Sequence, residues 1–446
     1  MAEANNKNVA LAHSFMDFTT SCPTAFHVVE EAFDLVHRSS IQTKHPIKVV
    51  FEHDMSWDIE KEGLYSVDRN DSSIAFFRMP KKLDKNKPLS FKMVAAHTDS
   101  PCFKIKENPE IFENGYIRLN VEGYGGMIRE SWFDRPLSIA GRVFVNEKDA
   151  VKEYLVDLRN DLKVIIPSLA IHMRNKDENN QKISIQKDML PVIGIYNNNT
   201  KDSSVLWPLV KKATGNSNAV IMGHDLFLYC LDEPHILGAN HEMLASCRID
   251  DLACVFTSVC GFASVPEVKD NTVSILFLLD NEEVGSASKQ GADSTFVSDT
   301  LERICLSCGF DKVGYMASIN NSFLISADCA HAAHPAHMEK ADIVNRPVLN
   351  GGVVLKYSAN QKYCTDGLSA ALLKKFCRDN LIELQIFNNN SDVTGGSTLG
   401  NIVLSHTSIP AVDVGIPQWA MHSAYECCGT KDLDLAEKFF SAYFAS

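Results

Sequence analysis

The C-terminal part of the chain alternates between two hydrophobic patterns. From Cys247 onwards, short apolar runs are separated by longer segments in which apolar residues recur every three or four positions. The short runs predict strands, and the longer segments predict amphipathic helices. The predicted strands are 273–279, 322–327, 382–387 and 411–414, and the predicted helices are 251–263, 285–308, 367–378, 397–405 and 434–444.

The N-terminal part continues this pattern, whereas the middle of the chain departs from it. Residues 8–19 and 23–36 predict helices, and the apolar run at 91–96 predicts a strand. Residues 102–234 contain short apolar runs broken by glycines, and they predict a β-rich module.

Strands that alternate with helices indicate a sheet covered on both faces. We therefore predict an α/β fold with a mostly parallel sheet flanked by helices. This catalytic domain would be built from residues 1–100 and 236–446. A β-rich domain would be inserted between them at residues 101–235. The length of 446 residues agrees with such an insertion, because a single core rarely grows beyond about 300 residues.

Composition and charge narrow the classes of function. With 45% hydrophobic and 22% charged residues, the chain has the composition of a globular protein. The net charge of −13 argues against nucleic acid or anionic membrane as a partner. No apolar stretch approaches about 20 residues, and the N-terminus lacks a signal-peptide pattern, so we expect a cytoplasmic protein. The C-x-x-C at Cys305 and Cys308 has no second pair nearby, and we interpret it as core packing rather than a redox or zinc motif.

The strongest chemical signal lies in the segment 274–286. Its apolar run, 275–279, ends at once in Asp280, Asn281, Glu282 and Glu283. This is the pattern of a buried parallel strand that delivers side chains to the edge of the sheet. Two adjacent glutamates at such an edge repel each other when ionised, and this repulsion raises the pKa of both. A metal ion bound beside them would offset the repulsion.

Four other segments have a related character. At strand spacing, His97 and Asp99 point to the same side, so that the acid could orient the imidazole. Asp250 and Asp251 directly precede a predicted helix, where an aspartate is also a common N-cap. The two remaining segments each follow a predicted strand. One contains Asp328, His331 and His334, and the other is 417–423, which contains His422.

Ligands of open α/β sheets bind at the carboxyl edge of the strands, where all these segments are expected to meet. Two divalent ions about 3.5 Å apart need a bridging carboxylate together with histidine and carboxylate ligands. The five segments supply such a set and leave one glutamate over as a base. The sequence therefore predicts a hydrolase with two metal ions.

The same segments carry a family resemblance. The motifs are AAHTDSP at 95–101, RIDDL at 248–252, DNEEVGS at 280–286, SADCAHAAHP at 326–335, GGSTLG at 395–400 and AMHS at 420–423. In this order, and over essentially the whole chain, the sequence resembles the aspartyl aminopeptidase family of di-zinc exopeptidases. The resemblance implies two Zn²⁺ per subunit, with Mn²⁺ or Co²⁺ as other possible ions. It also implies release of an N-terminal Asp or Glu from peptides.

The resemblance assigns roles residue by residue. Asp250 resembles the ligand that bridges both ions. His97 and Asp328 would complete one site, and Glu283 and His422 the other. Two further residues match catalytic positions of the family, namely Glu282 as general base and Asp99 as the orienting acid.

Substrate contacts are implied in the same way. Lys356 resembles the lysine that recognises the acidic side chain of the substrate, although by itself it reads as a solvated lysine at a strand end. His331 resembles a substrate contact, and His334 a supporting residue. Tyr363 and Gly396 complete the implied set, the glycine lying in a loop whose backbone N–H groups could seat a carboxylate.

The inserted domain resembles the family's interface domain at 124–126 and 131–135. Residues 169–172 resemble a segment that reaches a neighbouring active site, which would make His172 catalytic in the partner subunit. The implied assembly is a dimer built into a tetrahedral homododecamer.

Two positions depart from the family pattern: Asp251 stands where asparagine is usual, and Gly395 where cysteine is common.

Two other functions are alternatives to an acid-specific aminopeptidase. One is a di-metal aminopeptidase that prefers neutral N-terminal residues, and the other is a self-assembling shell protein without catalytic activity.

Overall fold

The computed structural model describes residues 2–148, 150–174, 182–196, 203–393 and 395–446, with side chains from residue 9. The helices are α1 (Ala2–Ser21), α2 (Ala25–Thr43), α3 (Ile185–Asp188), α4 (Leu206–Ala213), α5 (Ile249–Ala263), α6 (Phe296–Ser307), α7 (Lys312–Asn320), α8 (Gly367–Asp379), α9 (Leu399–Thr407) and α10 (Thr430–Phe444).

The first ten strands are β1 (Ile47–Val49), β2 (Leu64–Arg69), β3 (Ser73–Arg78), β4 (Ser90–His97), β5 (Cys102–Glu113), β6 (Tyr116–Tyr124), β7 (Leu137–Glu147), β8 (Ala150–Asp157), β9 (Val192–Ile195) and β10 (Ile221–Cys230). The remaining strands are β11 (His235–Leu237), β12 (Met243–Ser246), β13 (Thr272–Leu279), β14 (Phe323–Ala327), β15 (Ala330–His331), β16 (Val353–Tyr357), β17 (Leu384–Asn388), β18 (Ala411–Gly415), β19 (Pro417–Trp419) and β20 (Glu426–Gly429).

The largest sheet has the strand order β1-β2-β3-β13-β4-β14-β18-β16-β17. Its four central strands, β13, β4, β14 and β18, are mutually parallel. On the flanks, β3 and β16 run antiparallel to their inner neighbours, so the sheet is mixed. The chain is thus a mixed α/β protein, as predicted, and its central strands end at one edge.

The two faces of this sheet are buried in separate cores. Along β13, Leu276 and Leu278 pack into the core beneath α1, α2, α5 and α10. Their neighbours Ile275 and Phe277 pack into the core beneath α6, α7 and α9. Successive side chains of a strand point to opposite faces, so a continuous apolar run is what two covered faces require.

The middle of the chain forms a second sheet. Six antiparallel strands have the order β8-β7-β10-β5-β6-β9, and this sheet has its own hydrophobic core. A third, small sheet has the order β11-β12-β20-β19-β15 and lies close to the carboxyl edge of the central strands.

One predicted helix is wrong in its first half. Residues 285–308 were predicted to be helical, but α6 begins at Phe296. Gly285 and Ser286 have φ values of 94° and 60°, outside the helical region. The Ser286 carbonyl accepts from the backbone N–H groups of Ser288 and Asp293, which folds this segment into a compact loop.

Two smaller features complete the fold. The helix α7 was not predicted; it begins at Lys312 and is capped by Asp311, whose side chain accepts from the backbone N–H of Gly314. Cys305 and Cys308 are buried in the core beneath α6, in line with the packing interpretation.

Within the described ranges, no helix combines the length and apolarity needed to cross a membrane.

Candidate metal centre

The register of the central strands brings the predicted segments together. His97, the last residue of β4, is paired with Leu279, the last residue of β13. The acidic turn 280–283 therefore emerges beside His97. The strand β14 pairs with the other side of β4 and is followed directly by Asp328. Parallel pairing thus fixes these groups along one edge of the sheet.

Asp99 connects the first two segments. Its carboxylate accepts from the backbone N–H groups of Glu282 and Glu283, each over 3.1 Å. Nδ1 of His97 lies 3.0 Å from the Asp99 carbonyl oxygen and 3.5 Å from Oδ1 of its carboxylate. Asp99 therefore fixes both the imidazole ring and the turn that carries the two glutamates.

Asp250 occupies the middle of the cluster. Its Oδ1 lies 3.5 Å from Nε2 of His97, and its Oδ2 lies 3.5 Å from Nε2 of His422. A non-proline cis peptide joins Asp250 to Asp251. Asp250 is buried, and its two oxygens face histidines from opposite ends of the chain.

Asp251 has a different role from its neighbour. Its carboxylate accepts from the backbone N–H groups of His97 and Cys329, each over 3.2 Å. Asp251 therefore does not cap α5, which was the alternative interpretation of this pair. It holds together the backbones of two segments that lead into the cluster.

The remaining candidate ligands complete two groups around Asp250. In one, Asp250 is joined by His97, Asp251 and Asp328; in the other, by Glu283 and His422. Within each group, potential ligand atoms lie within 4.8 Å of one another. Nε2 of His422 is 3.4 Å from Oε1 of Glu283. His97 forms a third such group with Glu282 and Glu283.

The donor set fits divalent metal ions. Within the described residues, Oδ1 of Asp250 and Oε1 of Glu283 are buried and lack a hydrogen-bond partner. Buried carboxylate oxygens are normally satisfied by donors, paired with a charge or bound to a metal. Imidazole and carboxylate groups are ligands that zinc binds in proteins.

The electrostatics of the cluster agree with this fit. Burial raises the pKa of Glu282 to about 8, and Asp328 adds to the effect. Burial and the Asp250 carboxylate likewise raise the pKa of Glu283. Burial acts in the same direction on Asp250, but the His422 and His97 rings outweigh it and lower its pKa. Carboxyl groups this close resist joint ionisation, and a cation among them would relieve their repulsion.

A cavity of about 310 Å³ opens above the cluster and contains most of the predicted site. Its walls include the five predicted metal ligands (His97, Asp250, Glu283, Asp328 and His422) and, from the other predictions, Glu282, His331, Lys356, Tyr363 and Gly396. Three predicted residues do not line this cavity. Asp99 is buried and holds the backbone of Glu282 and Glu283, whereas His334 and His172 are both exposed.

Lys356 lines the cavity and is buried. Its Nζ donates to the carbonyl oxygens of Asp328 and Cys329 over 2.8 and 3.1 Å. The ammonium group also lies 3.7 Å from Oδ2 of Asp328 and 5.1 Å from the centre of the Tyr363 ring. Lys356 is therefore not the solvated surface lysine that its sequence context alone suggests.

Sequence reasoning missed Glu426, at the start of β20. Its buried carboxylate accepts from the backbone N–H of Asp250 over 3.0 Å and from that of His422 over 2.7 Å. Glu426 thus joins the backbones of two candidate ligands that are far apart in sequence. The only sequence signal is a lone acid at the start of a short strand.

Histidines and carboxylates that converge on a cavity at the carboxyl edge of a central parallel sheet define a metal-dependent hydrolase. The comparisons with known proteins agree. Residues 18–444 match the family described as aminopeptidase I zinc metalloprotease (M18). The probable M18 family aminopeptidase 2 of Clostridium acetobutylicum is 42% identical over 438 residues, covering 97% of this chain and 98% of the relative.

Solved structures give the same result. A chain in the cryo-EM structure of the Ape4 and Nbr1 complex has a TM-score of 0.91 at 32% identity, covering 99% of this chain and 86% of that chain. The yeast mApe1 dodecamer has a TM-score of 0.81 at 28% identity, covering 97% and 96% of the two chains. The protein belongs to the M18 family of zinc metallo-aminopeptidases, which confirms the predicted class of enzyme.

Proposed function

We propose that the enzyme releases N-terminal aspartate or glutamate from peptides, with two zinc ions per subunit and Glu282 as general base. The observation that carries this proposal is the central position of Asp250. Its two carboxylate oxygens lie 3.5 Å from His97 and 3.5 Å from His422, in the cavity that Glu282 also lines. One carboxylate between two histidines suits a bridging ligand.

The remaining ligands follow from the two groups around Asp250. His97 and Asp328 would hold one ion, and Glu283 and His422 the other, with Asp250 shared. Mn²⁺ or Co²⁺ could replace Zn²⁺, because nitrogen and carboxylate ligands accept all three. When bound, the ions would supply Lewis-acid chemistry, polarising the scissile carbonyl and acidifying water.

The proton transfers fall to Glu282. Its carboxylate shares the cavity but is not required by either proposed ion, so it remains able to titrate. Glu282 would take a proton from the attacking water and return it to the nitrogen of the leaving amine. Asp99 would support this step, because it holds the backbone N–H of Glu282 and orients His97.

The proposed preference for acidic residues rests on Lys356. An acidic side chain that enters a cavity loses hydration and needs a charged partner. Among the described residues that line the cavity, Lys356 is the one lysine or arginine. Tyr363 and His331 flank the same space, and Gly396 borders it. His334 would act from outside the cavity, as a support.

We expect wild-type enzyme to cleave N-terminal Asp and Glu substrates faster than the matched Leu substrate. Lys356→Met should lower kcat/KM for Asp and Glu by about 10- to 150-fold, because loss of a charge-assisted bond costs about 1.5–3 kcal/mol, and should affect Leu much less. Steady-state kinetics on the three substrates measure this.

Lys362→Met is the matched control, because Lys362 is an exposed lysine one residue from Tyr363. It removes the same charge outside the cavity and should leave the preference unchanged. A wild-type preference for Leu would refute the acidic assignment and favour the neutral aminopeptidase. An equal loss on all three substrates in Lys356→Met would instead assign the lysine to support of Asp328.

The proposed assembly is a dimer built into a tetrahedral homododecamer, with residues 101–235 as the dimerisation domain and 1–100 with 236–446 as the catalytic domain. The dodecamer of yeast mApe1 supports this proposal. So do the side chains beside His172, because Leu169, Ile171 and Met173 are 46%, 67% and 68% exposed. Exposed apolar groups in one segment are typical of an interface.

The proposed location is the cytoplasm. All thirteen cysteines are free thiols, and free thiols are typical of proteins in that reducing compartment.

We expect His172→Phe to lower kcat by about 10²-fold without loss of zinc, because loss of a donor to the developing oxyanion costs about that much. His235→Phe is the control, since His235 is also exposed. If His172 acts in a neighbouring subunit, particles co-assembled from His172→Phe and Glu282→Gln chains should regain activity, because some sites then combine both intact residues. Inactive mixed particles would contradict action between subunits.

A further inference from the structure

Tyr124 extends from the second sheet to the edge of the first. It is the last residue of β6, and its ring packs edge-on against Phe227 with 5.6 Å between ring centres. The hydroxyl donates to Oδ2 of Asp99 over 2.8 Å and accepts from Nδ2 of Asn281 over 2.8 Å. One hydroxyl thus ties β6 to two of the segments that form the candidate centre, the one that contains His97 and the one that contains the two glutamates.

The carboxylate that receives this bond is shared. Oδ2 of Asp99 also accepts from the backbone N–H of Glu283, and Oδ1 accepts from that of Glu282. Oδ1 additionally faces Nδ1 of His97 at 3.5 Å. Rotation of the Asp99 carboxylate would therefore disturb His97, Glu282 and Glu283 together. The Tyr124 hydroxyl is the side-chain donor that opposes such rotation from the side of the second sheet.

The residues after Tyr124 also contact the centre. Gly125 has a φ of 75°, and a Cβ there would lie 3.1 Å from Cβ of Glu283. The backbone N–H of Ile128 donates to the His422 carbonyl oxygen over 2.9 Å. The segment 124–128 thus packs against two candidate ligands by means other than the tyrosine hydroxyl. This edge of the second sheet forms a wall of the centre.

We propose that Tyr124 is a positioning residue of the metal centre, whose hydroxyl fixes Asp99 and through it His97, Glu282 and Glu283. The inference rests on the ligand set given under the proposed function. It assigns the second sheet a part in the chemistry of its own subunit. Groups that orient metal ligands typically change metal affinity or activity by about 10- to 100-fold when removed.

The chain offers a matched control. The hydroxyl of Tyr229 donates to Oδ1 of Asp157 over 2.7 Å, also within the second sheet. Tyr229→Phe therefore removes the same chemical group and the same kind of bond to a carboxylate. The Asp157 carboxylate also accepts from the backbone and the side chain of Arg159, and neither Tyr229 nor Arg159 is a candidate ligand. A loss caused by destabilisation alone would be similar in the two variants.

The experiment uses the full chain with zinc. Zinc affinity is measured by competition with a chelator, and kcat and KM are measured by steady-state kinetics. The midpoint of thermal unfolding is recorded for each variant with and without zinc. Tyr124→Phe should weaken zinc affinity and kcat by about 10- to 100-fold, with little change in KM. Tyr229→Phe should leave both near wild type. In an Asp99→Asn background, Tyr124→Phe should add less than about twofold, since coupled residues are not additive.

Equal zinc affinity and kcat in Tyr124→Phe and Tyr229→Phe would overturn the inference, as would a full effect of Tyr124→Phe in the Asp99→Asn background. If Tyr124→Phe does not fold, Asn281→Gly tests the same link, because it keeps the left-handed backbone of Asn281, φ 65°, and removes the amide that holds the hydroxyl. Unchanged zinc affinity there would also overturn the inference.

Asp250→Asn separates this inference from the ligand assignment. If Asp250→Asn retains full zinc, the centre itself is wrongly assigned. If Asp250→Asn loses zinc while Tyr124→Phe retains it, the centre stands and the positioning role of Tyr124 is wrong.

Discussion

Glu282→Gln is expected to lower kcat by about 10²- to 10⁴-fold, the range that general acid–base catalysis contributes, while zinc content stays at the wild-type level. The glutamine side chain has the same shape as that of glutamate, but its amide cannot act as a base. The hydrogen bond from the backbone N–H of residue 282 to Asp99 is unaffected by the substitution. Turnover on an N-terminal Asp substrate, together with metal analysis of the same sample, measures both quantities.

The adjacent residue is the control for this prediction. Glu283→Gln changes the same chemical group one position away, where Oε1 is buried and lacks a hydrogen-bond partner among the described residues. It should lose zinc along with activity. A Glu282→Gln enzyme of near wild-type rate would exclude Glu282 as base, and zinc loss in that variant would move Glu282 into the ligand set.

Asp250→Asn is expected to weaken binding of both proposed zinc ions by more than the roughly 100-fold that loss of an orienting group costs, and to abolish turnover. Its carboxylate faces His97 on one side and His422 on the other. Replacing one oxygen with an NH₂ group removes a ligand and adds a donor that repels a cation. Zinc stoichiometry after dialysis against a weak chelator is the measurement.

Asp251→Asn distinguishes loss of a ligand from loss of structure. Both oxygens of Asp251 accept backbone N–H groups, so asparagine would place a donor against a donor. That mismatch should cost about 1–3 kcal/mol of folding free energy and leave zinc binding largely intact.

The stoichiometry of Asp250→Asn also tests the bridging role of Asp250. Loss of only one zinc ion in that variant would argue against such a role.

The sequence predicted the central edge of the sheet well, for a physical reason. A strand buried on both faces must be apolar throughout, so the change from 275–279 to Asp280 marks where it ends. The same contrast located His97 and Asp328. Parallel pairing then brings these ends together without any further signal in the sequence.

What the sequence did not predict depends on contacts between distant segments. Glu426 acts through hydrogen bonds to the backbones of Asp250 and His422, and no local pattern encodes such a bond. The Tyr124 hydroxyl likewise bonds to Asp99, 25 residues earlier in the chain, and to Asn281, 157 residues later. The helix predicted from residue 285 is wrong because the loop bonds of Ser286 outweigh its apolar periodicity.

The spread of the candidate ligands along the chain has a consequence for biosynthesis. His97 lies in the first quarter of the sequence, whereas His422 and the Glu426 that supports it lie near its end. A nascent polypeptide that has not yet reached His422 therefore lacks part of the candidate centre, whatever part of the central sheet has already formed. On the ligand set proposed above, a truncation before His422 would remove one ligand and the supporting Glu426, so the truncated protein should bind less zinc than the full chain.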